Sequence, residues 1–301
     1  MMEYYAHGKL LLTGEYLVLK GAEALALPLK FGQKLKVQKT GKNELHWQSL
    51  NHKNEIWFEG TFDFTKKSWS NVSDPQIAAQ LEKLLNACSS IANNARLFAG
   101  LRMTCSLEFN PKWGWGSSST LIDLLAQFSN VNVFELSAQS FGGSGYDVAC
   151  ARASGPILYN NIEHSSRRIE ITWPFKDQLL FVYSGNKMNS RKAMKKFDQS
   201  KNYVTEINKL RRINEQILNI DNIADFSSLI LDHENMISNI LDQVTLGSQL
   251  KNFDGVIKSL GAWGGDFFLA ISENMKMDEM KKFFKSHGHQ TMFGYQEIIL
   301  E

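Results

Sequence analysis

Apolar and polar residues alternate along this chain in two patterns, one with the period of a strand and one with the period of a helix. Short apolar runs predict strands at residues 9–13, 16–19, 24–29, 33–39, 101–109, 155–159, 167–173, 178–183, 267–271 and 291–300, and a hairpin region at 41–70. Longer periodic segments predict helices at residues 75–93, 121–128, 146–153, 190–220, 225–244, 253–259 and 277–286. Strands and helices are intermixed without an internal repeat, so the pattern indicates an α+β or α/β protein.

Composition narrows the class of protein. The chain has 301 residues, enough for one large or two ordinary domains. A hydrophobic content of 43% and a charged content of 21% are typical of a soluble globular protein. A net charge of +2 gives no strong field for nucleic acid or an anionic membrane. No apolar run reaches the ~20 residues needed to span a bilayer. We therefore expect neither nucleic acid nor a membrane as a partner.

The cysteines indicate a reducing compartment. Cys88, Cys105 and Cys150 are widely spaced and lack metal-ligand spacing, so we expect buried thiols rather than disulfides or a zinc site. The N-terminus lacks the basic and apolar regions of a signal peptide. A cytoplasmic location is the expectation.

The stretch P-K-W-G-W-G-S-S-S-T at residues 111–120 stands directly before a predicted helix. Glycines allow a tight turn and a close approach of the backbone to a ligand. A glycine turn that feeds a helix N-terminus is suited to phosphate, and serine hydroxyls there can bind phosphate oxygens or Mg²⁺. Ordinary helix capping is the alternative interpretation. The spacing is neither that of a Walker A loop nor that of a dinucleotide-binding loop.

Two further glycine-rich loops occur at residues 142–145 and 261–266. Each alone predicts only a turn. Together with G-K-L-L-L-T-G-E-Y-L-V-L at residues 8–19 and the stretch at 111–120, their content and order resemble the motifs of the GHMP kinases. Lys112, the string G-S-G-Y-D-V-A at 143–149 and the G-G-D ending of the third loop are similar to the phosphomevalonate kinase branch. The 145–149 string also resembles a group of bacterial homologues named for G-Y-D-I-A.

The resemblance implies an α+β fold with two domains. Residues 1–173 would form an N-terminal domain like ribosomal protein S5 domain 2, and residues 174–301 a ferredoxin-like C-terminal domain. It further implies a monomeric or homodimeric kinase that uses ATP and Mg²⁺ to phosphorylate a small anionic metabolite, of which phosphomevalonate is the leading candidate. A kinase of mevalonate or sugar hydroxyls is one alternative. A member that binds a nucleotide or metabolite without turnover is another.

The resemblance also assigns roles to residues. Lys9 and Asp147 would be catalytic, with the lysine keeping the carboxylate ionised; a strand-edge charge and a helix N-cap are their alternative interpretations. ATP phosphates would be bound by Lys112, Gly114, Trp115, Gly116, Ser117, Ser118 and Ser119, and Ser118 would also ligate Mg²⁺. The predicted substrate-binding residues are Glu15, Tyr16, Ser144, Gly145, Ser190, Gly264 and Gly265. Glu15 and Tyr16 would either line the acceptor pocket or brace it.

The chain departs from the family pattern at a few positions. Trp115 stands where leucine is usual, and Trp263 where glycine is usual, so its ring would either crowd the third loop or pack over a substrate. Mevalonate and homoserine kinases have a Mg²⁺-binding glutamate at the position of Leu136. The phosphomevalonate branch lacks that glutamate, as this chain does. His7 replaces the usual proline.

Overall fold

The computed structural model describes residues 1–185, 197–250, 252–261, 263 and 265–301. The chain divides into two compact units that interleave along the sequence. Unit 1 consists of Met1–Gly8, Phe31–Pro111 and Trp115–Arg152, and unit 2 of Lys9–Lys30, Lys112–Gly114 and Ala153–Glu301. The first two strands and the glycine–serine stretch, which is residues 111–120, therefore contribute to both units. The boundary at residue 173 stays a prediction.

The strands in the described residues are β1 (Met2–Thr13), β2 (Ala24–Lys39), β3 (Glu44–Leu50), β4 (Ile56–Asp63), β5 (Ser68–Ser70), β6 (Leu101–Leu107), β7 (Ile157–Asn160), β8 (Ser165–Arg168), β9 (Leu179–Tyr183), β10 (Val256–Leu260), β11 (Phe267–Ile271) and β12 (Met292–Gly294). The α-helices are α1 (Pro75–Ile91), α2 (Ser117–Ser129), α3 (Val133–Ser140), α4 (Tyr146–Ala151), α5 (Val204–Leu218), α6 (Ile223–Leu241), α7 (Met277–Ser286) and α8 (Tyr295–Ile298). Short 3₁₀ helices occupy Leu17–Lys20 and Lys176–Gln178.

Unit 1 is a sheet with helices on it. Its strand order is β5-β4-β3-β6-β2, with β3 parallel to β6 and the other neighbours antiparallel. Strand β6 alternates buried and more exposed residues, as a strand with one face on a core does. Helix α1 begins where Asp74 accepts the N–H groups of Gln76 and Ile77, with Pro75 in the first turn. Apolar residues of α1, α2 and the sheet then form one core.

Unit 2 contains a second, four-stranded antiparallel sheet in the order β10-β11-β9-β12. All five residues of β11 are buried. Helix α7 packs its Met280 and Phe284 against this sheet. A further core joins α5, α6 and the 3₁₀ helix at Leu17–Lys20. The first residues of β2 pair with β7, which pairs with β8.

Several predicted elements are wrong. The segment predicted as a helix at 253–259 contains strand β10, and the strand predicted at 16–19 is the 3₁₀ helix Leu17–Lys20. The final strand predicted at 291–300 is the short β12 followed by α8, and the strand predicted at 167–173 reaches only Arg168. Helix α3 was not predicted. Of the helix predicted at 190–220, the described part begins at Val204, and residues 186–196 lie outside the described residues.

The three cysteines are buried thiols without disulfides, as predicted. Burial raises the pKa of Cys88 and Cys105 to about 12, so neither is poised as a nucleophile. Through the described parts of the chain, no helix combines the length and the apolar character that crossing a membrane requires.

Candidate functional site

Residues 112–114 of the glycine–serine stretch belong to unit 2, where they lie against the second sheet. A Cβ atom on Gly114 would come within 1.8 Å of Asp266 Oδ2, and Gly114 has a φ of 67°. Only glycine fits this close approach and this backbone conformation. The Tyr183 hydroxyl donates to the Lys112 carbonyl at 3.3 Å, and the Trp113 ring packs edge-on against Phe293, with centroids 5.3 Å apart. The start of the stretch is therefore fixed, while the Lys112 side chain is exposed.

The stretch continues in unit 1 with Trp115 and Gly116. The Trp115 ring is fully buried, with its centroid 6.0 Å from that of Phe31 and 5.8 Å from that of Phe109. Gly116, in a left-handed conformation with a φ of 89°, is the N-cap of α2. A glycine N-cap has no side chain to occupy the first N–H groups of the helix. The buried ring thus anchors the turn that leads into α2.

Three serines form the first turn of α2 and differ in their surroundings. Ser119 is buried and its hydroxyl donates to the Gly116 carbonyl at 2.9 Å. Ser117 is half-buried and Ser118 is exposed, and within the described residues neither hydroxyl makes a hydrogen bond. No acidic side chain lies in this first turn, and no side chain caps the helix. Gly116 thus caps the helix without a side-chain hydrogen bond, and a phosphate site beside this cap stays a prediction.

This helix start fits an anionic group. Thirteen residues give α2 a full dipole, whose N-terminus favours negative charge. Mg²⁺ prefers hard oxygen ligands and usually takes only one or two from protein, the rest from phosphates and water. The exposed Ser118 hydroxyl is a donor of this kind. Among the described residues, no group of three or more His, Cys, Asp or Glu side chains is arranged to hold a metal.

Asp147 lies in the first turn of α4, also in unit 1. The N-cap of α4 is Gly145, so Asp147 is the second helical residue and the alternative interpretation as the N-cap is wrong. Asp147 is half-buried, and Ser144 in the preceding loop is buried. The residues predicted at 144, 145 and 147 thus share one loop–helix junction.

An ion pair that the sequence did not predict joins the two helices of unit 1. Arg152, at the end of α4, donates through Nε to Asp123 Oδ1 on α2 at 2.7 Å. Asp123 is fully buried, and Gln127 Nε2 donates to its Oδ2 at 2.7 Å. Burial raises the pKa of Asp123, and the Arg152 charge opposes that rise. The helices that begin at Ser117 and Tyr146 are held together by this contact.

From Lys9 onward the first motif lies in unit 2, and it is mostly buried. Lys9 is half-buried on β1. Glu15 is 3% exposed and its Oε1 lies 2.5 Å from Lys258 Nζ. The Tyr16 hydroxyl accepts the backbone N–H of Trp263 at 3.0 Å. Of the two predicted roles for Glu15 and Tyr16, these contacts favour bracing over lining the acceptor pocket.

The third loop is anchored by Trp263. Its side chain is 7% exposed and packs in the core cluster that includes Tyr16, Phe197 and Met236. Gly265 is buried, and the Asp266 carbonyl accepts the N–H of Ser184 at 2.9 Å. The predicted residues Ser190 and Gly264 lie outside the described residues. Trp263 therefore packs into the protein at this loop.

Leu136 is fully buried in the core of unit 1. The neighbouring Glu135 is exposed and accepts a hydrogen bond from Gln139 Nε2 at 3.2 Å. The resemblance therefore places its metal-binding glutamate at what is a core position in this chain.

No protein-family model matches the chain, and a search of curated proteins finds no match. Solved structures match over nearly the full length. The mevalonate kinase of Methanococcus jannaschii has a TM-score of 0.71 at 16% identity, covering 100% of this chain and 98% of that chain. A Streptococcus pneumoniae phosphomevalonate kinase in complex with phosphomevalonate and AMPPNP has 0.72 at 16%, covering 98% and 100%. A Lactococcus lactis galactokinase with galactose has 0.69 at 12%, covering 99% and 93%.

These similarities confirm the predicted α+β GHMP kinase fold. At identities of 12–16%, the similarity shows the fold and identifies neither the branch nor the reaction.

Proposed function

We propose that this chain is an ATP- and Mg²⁺-dependent kinase of a small molecule. The observation that carries the proposal is the start of α2, where a glycine N-cap precedes two serines whose hydroxyls make no hydrogen bond within the described residues. This arrangement occurs in a chain with the fold of GHMP kinases. A helix N-terminus of this kind suits a phosphate group.

Phosphoryl transfer depends mainly on positioning and on positive charge around the transferred group. Bound ATP with Mg²⁺ would supply the phosphoryl group and neutralise its charge. The first N–H groups of α2 would bind phosphate oxygens, Ser117 would add a hydroxyl, and Ser118 would ligate the metal. Ser119 would act through its backbone N–H, since its hydroxyl donates to Gly116. Lys112, exposed before the turn, would add a positive charge.

Asp147 and Lys9 would act on the acceptor, as the resemblance implies. A carboxylate can orient an acceptor hydroxyl and take its proton, and a nearby ammonium group keeps that carboxylate ionised. An acceptor that is itself a phosphate already has an anionic oxygen. Asp147 would then mainly orient Lys9 or the substrate.

The acceptor we favour is phosphomevalonate or a similar anionic metabolite. The resemblance of Lys112 and of residues 143–149 to the phosphomevalonate branch supports this choice, and the pneumococcal enzyme of the same fold holds phosphomevalonate and a nucleotide. A hydroxyl acceptor such as mevalonate or a sugar is the alternative within the class. The second candidate function is nucleotide binding without turnover. It is supported by the buried Trp263 in the third loop and by the absence of a metal-binding carboxylate at Leu136, an absence that this chain shares with the phosphomevalonate branch.

The test is ATP turnover against phosphomevalonate, mevalonate, galactose and homoserine, with the phosphorylated product identified by mass spectrometry. We expect one acceptor to be phosphorylated, and Asp147→Asn to lower its kcat by roughly 100-fold or more, the usual contribution of a positioned acid–base group. The matched control is Asp278→Asn, because Asp278 is an exposed second residue of α7 with the same relation to its helix dipole.

Two outcomes would contradict the kinase assignment or its residues. Tight binding of ATP in calorimetry with no phosphorylated product from any acceptor would favour the binding protein. An equal rate for Asp147→Asn and Asp278→Asn would remove Asp147 from the mechanism.

A further inference from the structure

A group of buried polar side chains in unit 2 has no role in the reaction proposed above. Lys258 on β10 is 1% exposed, and its ammonium contacts Glu15 Oε1 at 2.5 Å and donates to the Ser259 carbonyl at 2.8 Å. His233 and Glu234 on α6 are fully buried beside it. The contacts of Lys258 and Glu234 fix their side chains, whereas Glu15 Oε2 and His233 Nδ1 are buried without a hydrogen bond among the described residues.

His233 holds the turn of the first motif directly. Its Nε2 atom accepts the backbone N–H of Gly14 at 3.1 Å and lies 3.3 Å from Glu15 Oε2. An imidazole nitrogen that accepts an N–H is unprotonated, so the ring is neutral with its proton on Nδ1. Burial lowers the pKa of His233 well below its ordinary value, and the Lys258 charge acts in the same direction. His233 is therefore a fixed hydrogen-bond acceptor for the turn.

The turn that this group holds has a strained backbone. Tyr16 has a φ of 62° and a ψ of −47°, and the N–H of Leu17 donates to the Glu15 carbonyl at 2.6 Å. These values describe a γ-turn of the rare form centred on Tyr16. A residue with a side chain remains in such a conformation only when its surroundings determine it. Here the determinants are His233 at Gly14 and Lys258 at Glu15.

A hydrogen bond connects the strained turn to the third loop. The Tyr16 hydroxyl accepts the N–H of Trp263 at 3.0 Å, and the two side chains share one core cluster. The position of Trp263 therefore depends on the direction of the Tyr16 side chain, and that direction depends on the γ-turn. Gly14, Glu15 and Tyr16 belong to the first motif and Trp263 to the third loop, and the resemblance assigns predicted substrate-binding residues to both.

We propose that His233 and Lys258 are positioning residues, which hold the strained turn and through Tyr16 set the third loop for the acceptor. The acceptor part of this inference rests on the proposed kinase function. Stability alone does not account for the group, because a buried ion pair usually stabilises a protein no more than apolar residues of similar volume.

The test compares His233→Leu with His233→Gln. Leucine removes the acceptor for the Gly14 N–H, whereas the Oε1 atom of glutamine retains it, and neither introduces a charge. We expect His233→Leu to speed amide hydrogen exchange at Gly14 and Trp263 by roughly 10-fold or more, as loss of a buried hydrogen bond implies. Exchange at Leu269 in β11 should stay unchanged. His233→Gln should restore both amides to within about 3-fold of the wild type.

The kinetic readout separates positioning from general damage. We expect His233→Leu to lower kcat/KM for the acceptor by about 10-fold and to change the KM for ATP by less than about 2-fold. Unchanged exchange at Trp263 in folded His233→Leu, or equal effects of the two variants, would overturn the proposal. If His233→Leu does not fold, Lys258→Met combined with Glu15→Gln removes the ion pair without leaving one buried charge, and the same exchange result is expected. If the wild type phosphorylates no acceptor, the kinase function fails, and the exchange experiment still decides the positioning role.

Discussion

Replacing Glu234 by glutamine is expected to stabilise the protein at neutral pH and not at acid pH. Glu234 is fully buried, and its carboxylate accepts the N–H of Ser259 at 3.1 Å and the Ser259 hydroxyl at 3.0 Å. Burial raises its pKa to about 7; the Lys258 charge opposes this rise, and the Glu15 charge adds to it. A glutamine retains one acceptor for the N–H and offers a donor to the hydroxyl oxygen. It therefore resembles the protonated form of Glu234.

The size of the effect follows from the two pKa values. The pKa of Glu234 is 4.5 in the unfolded chain and about 7 in the folded protein. At about 1.4 kcal/mol per pKa unit, ionising Glu234 in the folded protein costs about 3 kcal/mol of stability. The folded pKa is the higher one, so this stability is fully present below pH 4.5 and is lost as the pH rises through 7. We expect Glu234→Gln to equal the wild type near the acid end and to exceed it by up to about 3 kcal/mol above neutrality.

The assay is urea unfolding of the wild type and Glu234→Gln across pH 4 to 8, a range that spans both pKa values. The charged groups that act on Glu234 are Lys258 and Glu15, and they are common to both proteins, so the difference between the curves isolates Glu234. Glu215→Gln is the matched control, because Glu215 is an exposed glutamate on α5 in the same unit. Parallel pH dependences for the wild type and Glu234→Gln would refute the reasoning, since they would mean that Glu234 has an ordinary pKa.

Two further predictions concern the phosphate site. Gly114→Ala places a Cβ atom 1.8 Å from Asp266 Oδ2 at a φ of 67°, so we expect binding of a non-hydrolysable ATP analogue to weaken by roughly 10-fold or more in calorimetry; unchanged affinity would contradict the role of this loop. Arg152→Met leaves the Asp123 carboxylate buried without its charge partner. Because the Arg152 side chain is 46% exposed and water screens its charge, we expect a loss of about 2 kcal/mol in urea unfolding at neutral pH. Full stability of Arg152→Met would show that Asp123 is neutral in the folded protein.

The sequence predicted the elements whose local signals agree with their tertiary surroundings. Helix α1 has a capping aspartate, a proline in the first turn and a regular apolar face, and it was predicted to within two residues at its C-terminal end. Strand β10 was mistaken for a helix because its last three residues include Lys258 and Ser259. Both side chains are buried, since they meet Glu15 and Glu234. A local pattern cannot reveal partners that lie 243 and 25 residues away.

The same limit applies to the candidate site. Glycine loops and serine runs are local signals, and they led directly to Gly114, Gly116 and the start of α2. The residues that hold the turn of the first motif and helix α2 in place are distant from them in sequence. His233 lies 219 residues from Gly14, and Arg152 lies 29 residues from Asp123. Asp123 stands on the apolar face of α2, and an aspartate at such a position is a sequence sign of a buried partner such as Arg152.

The 3₁₀ helix at Leu17–Lys20 shows how strain can mislead a pattern. Leu17, Val18 and Leu19 are an apolar run that favours a strand. The chain turns instead because Tyr16 has a positive φ and the Gly14 carbonyl accepts the N–H of Val18 at 3.0 Å. Nothing in the residue types of this segment indicates a positive φ at a tyrosine, since such values are uncommon outside glycine, asparagine and aspartate. The sequence therefore located the motif without its geometry.

The two tryptophans that depart from the family pattern have the same structural effect in different units. Trp115 is buried between Phe31 and Phe109, and Trp263 is buried beside Tyr16, so each ring fills a core under the loop to which it belongs. Burying an aromatic ring stabilises a protein by about 2 kcal/mol. This burial restricts a loop that its neighbouring glycines would otherwise leave conformationally free. In the first turn of α2, the Ser117 and Ser118 hydroxyls make no hydrogen bond within the described residues. The rings are thus compatible with phosphate binding. Leu136 likewise packs in a core, and by the resemblance this departure is shared with the phosphomevalonate branch.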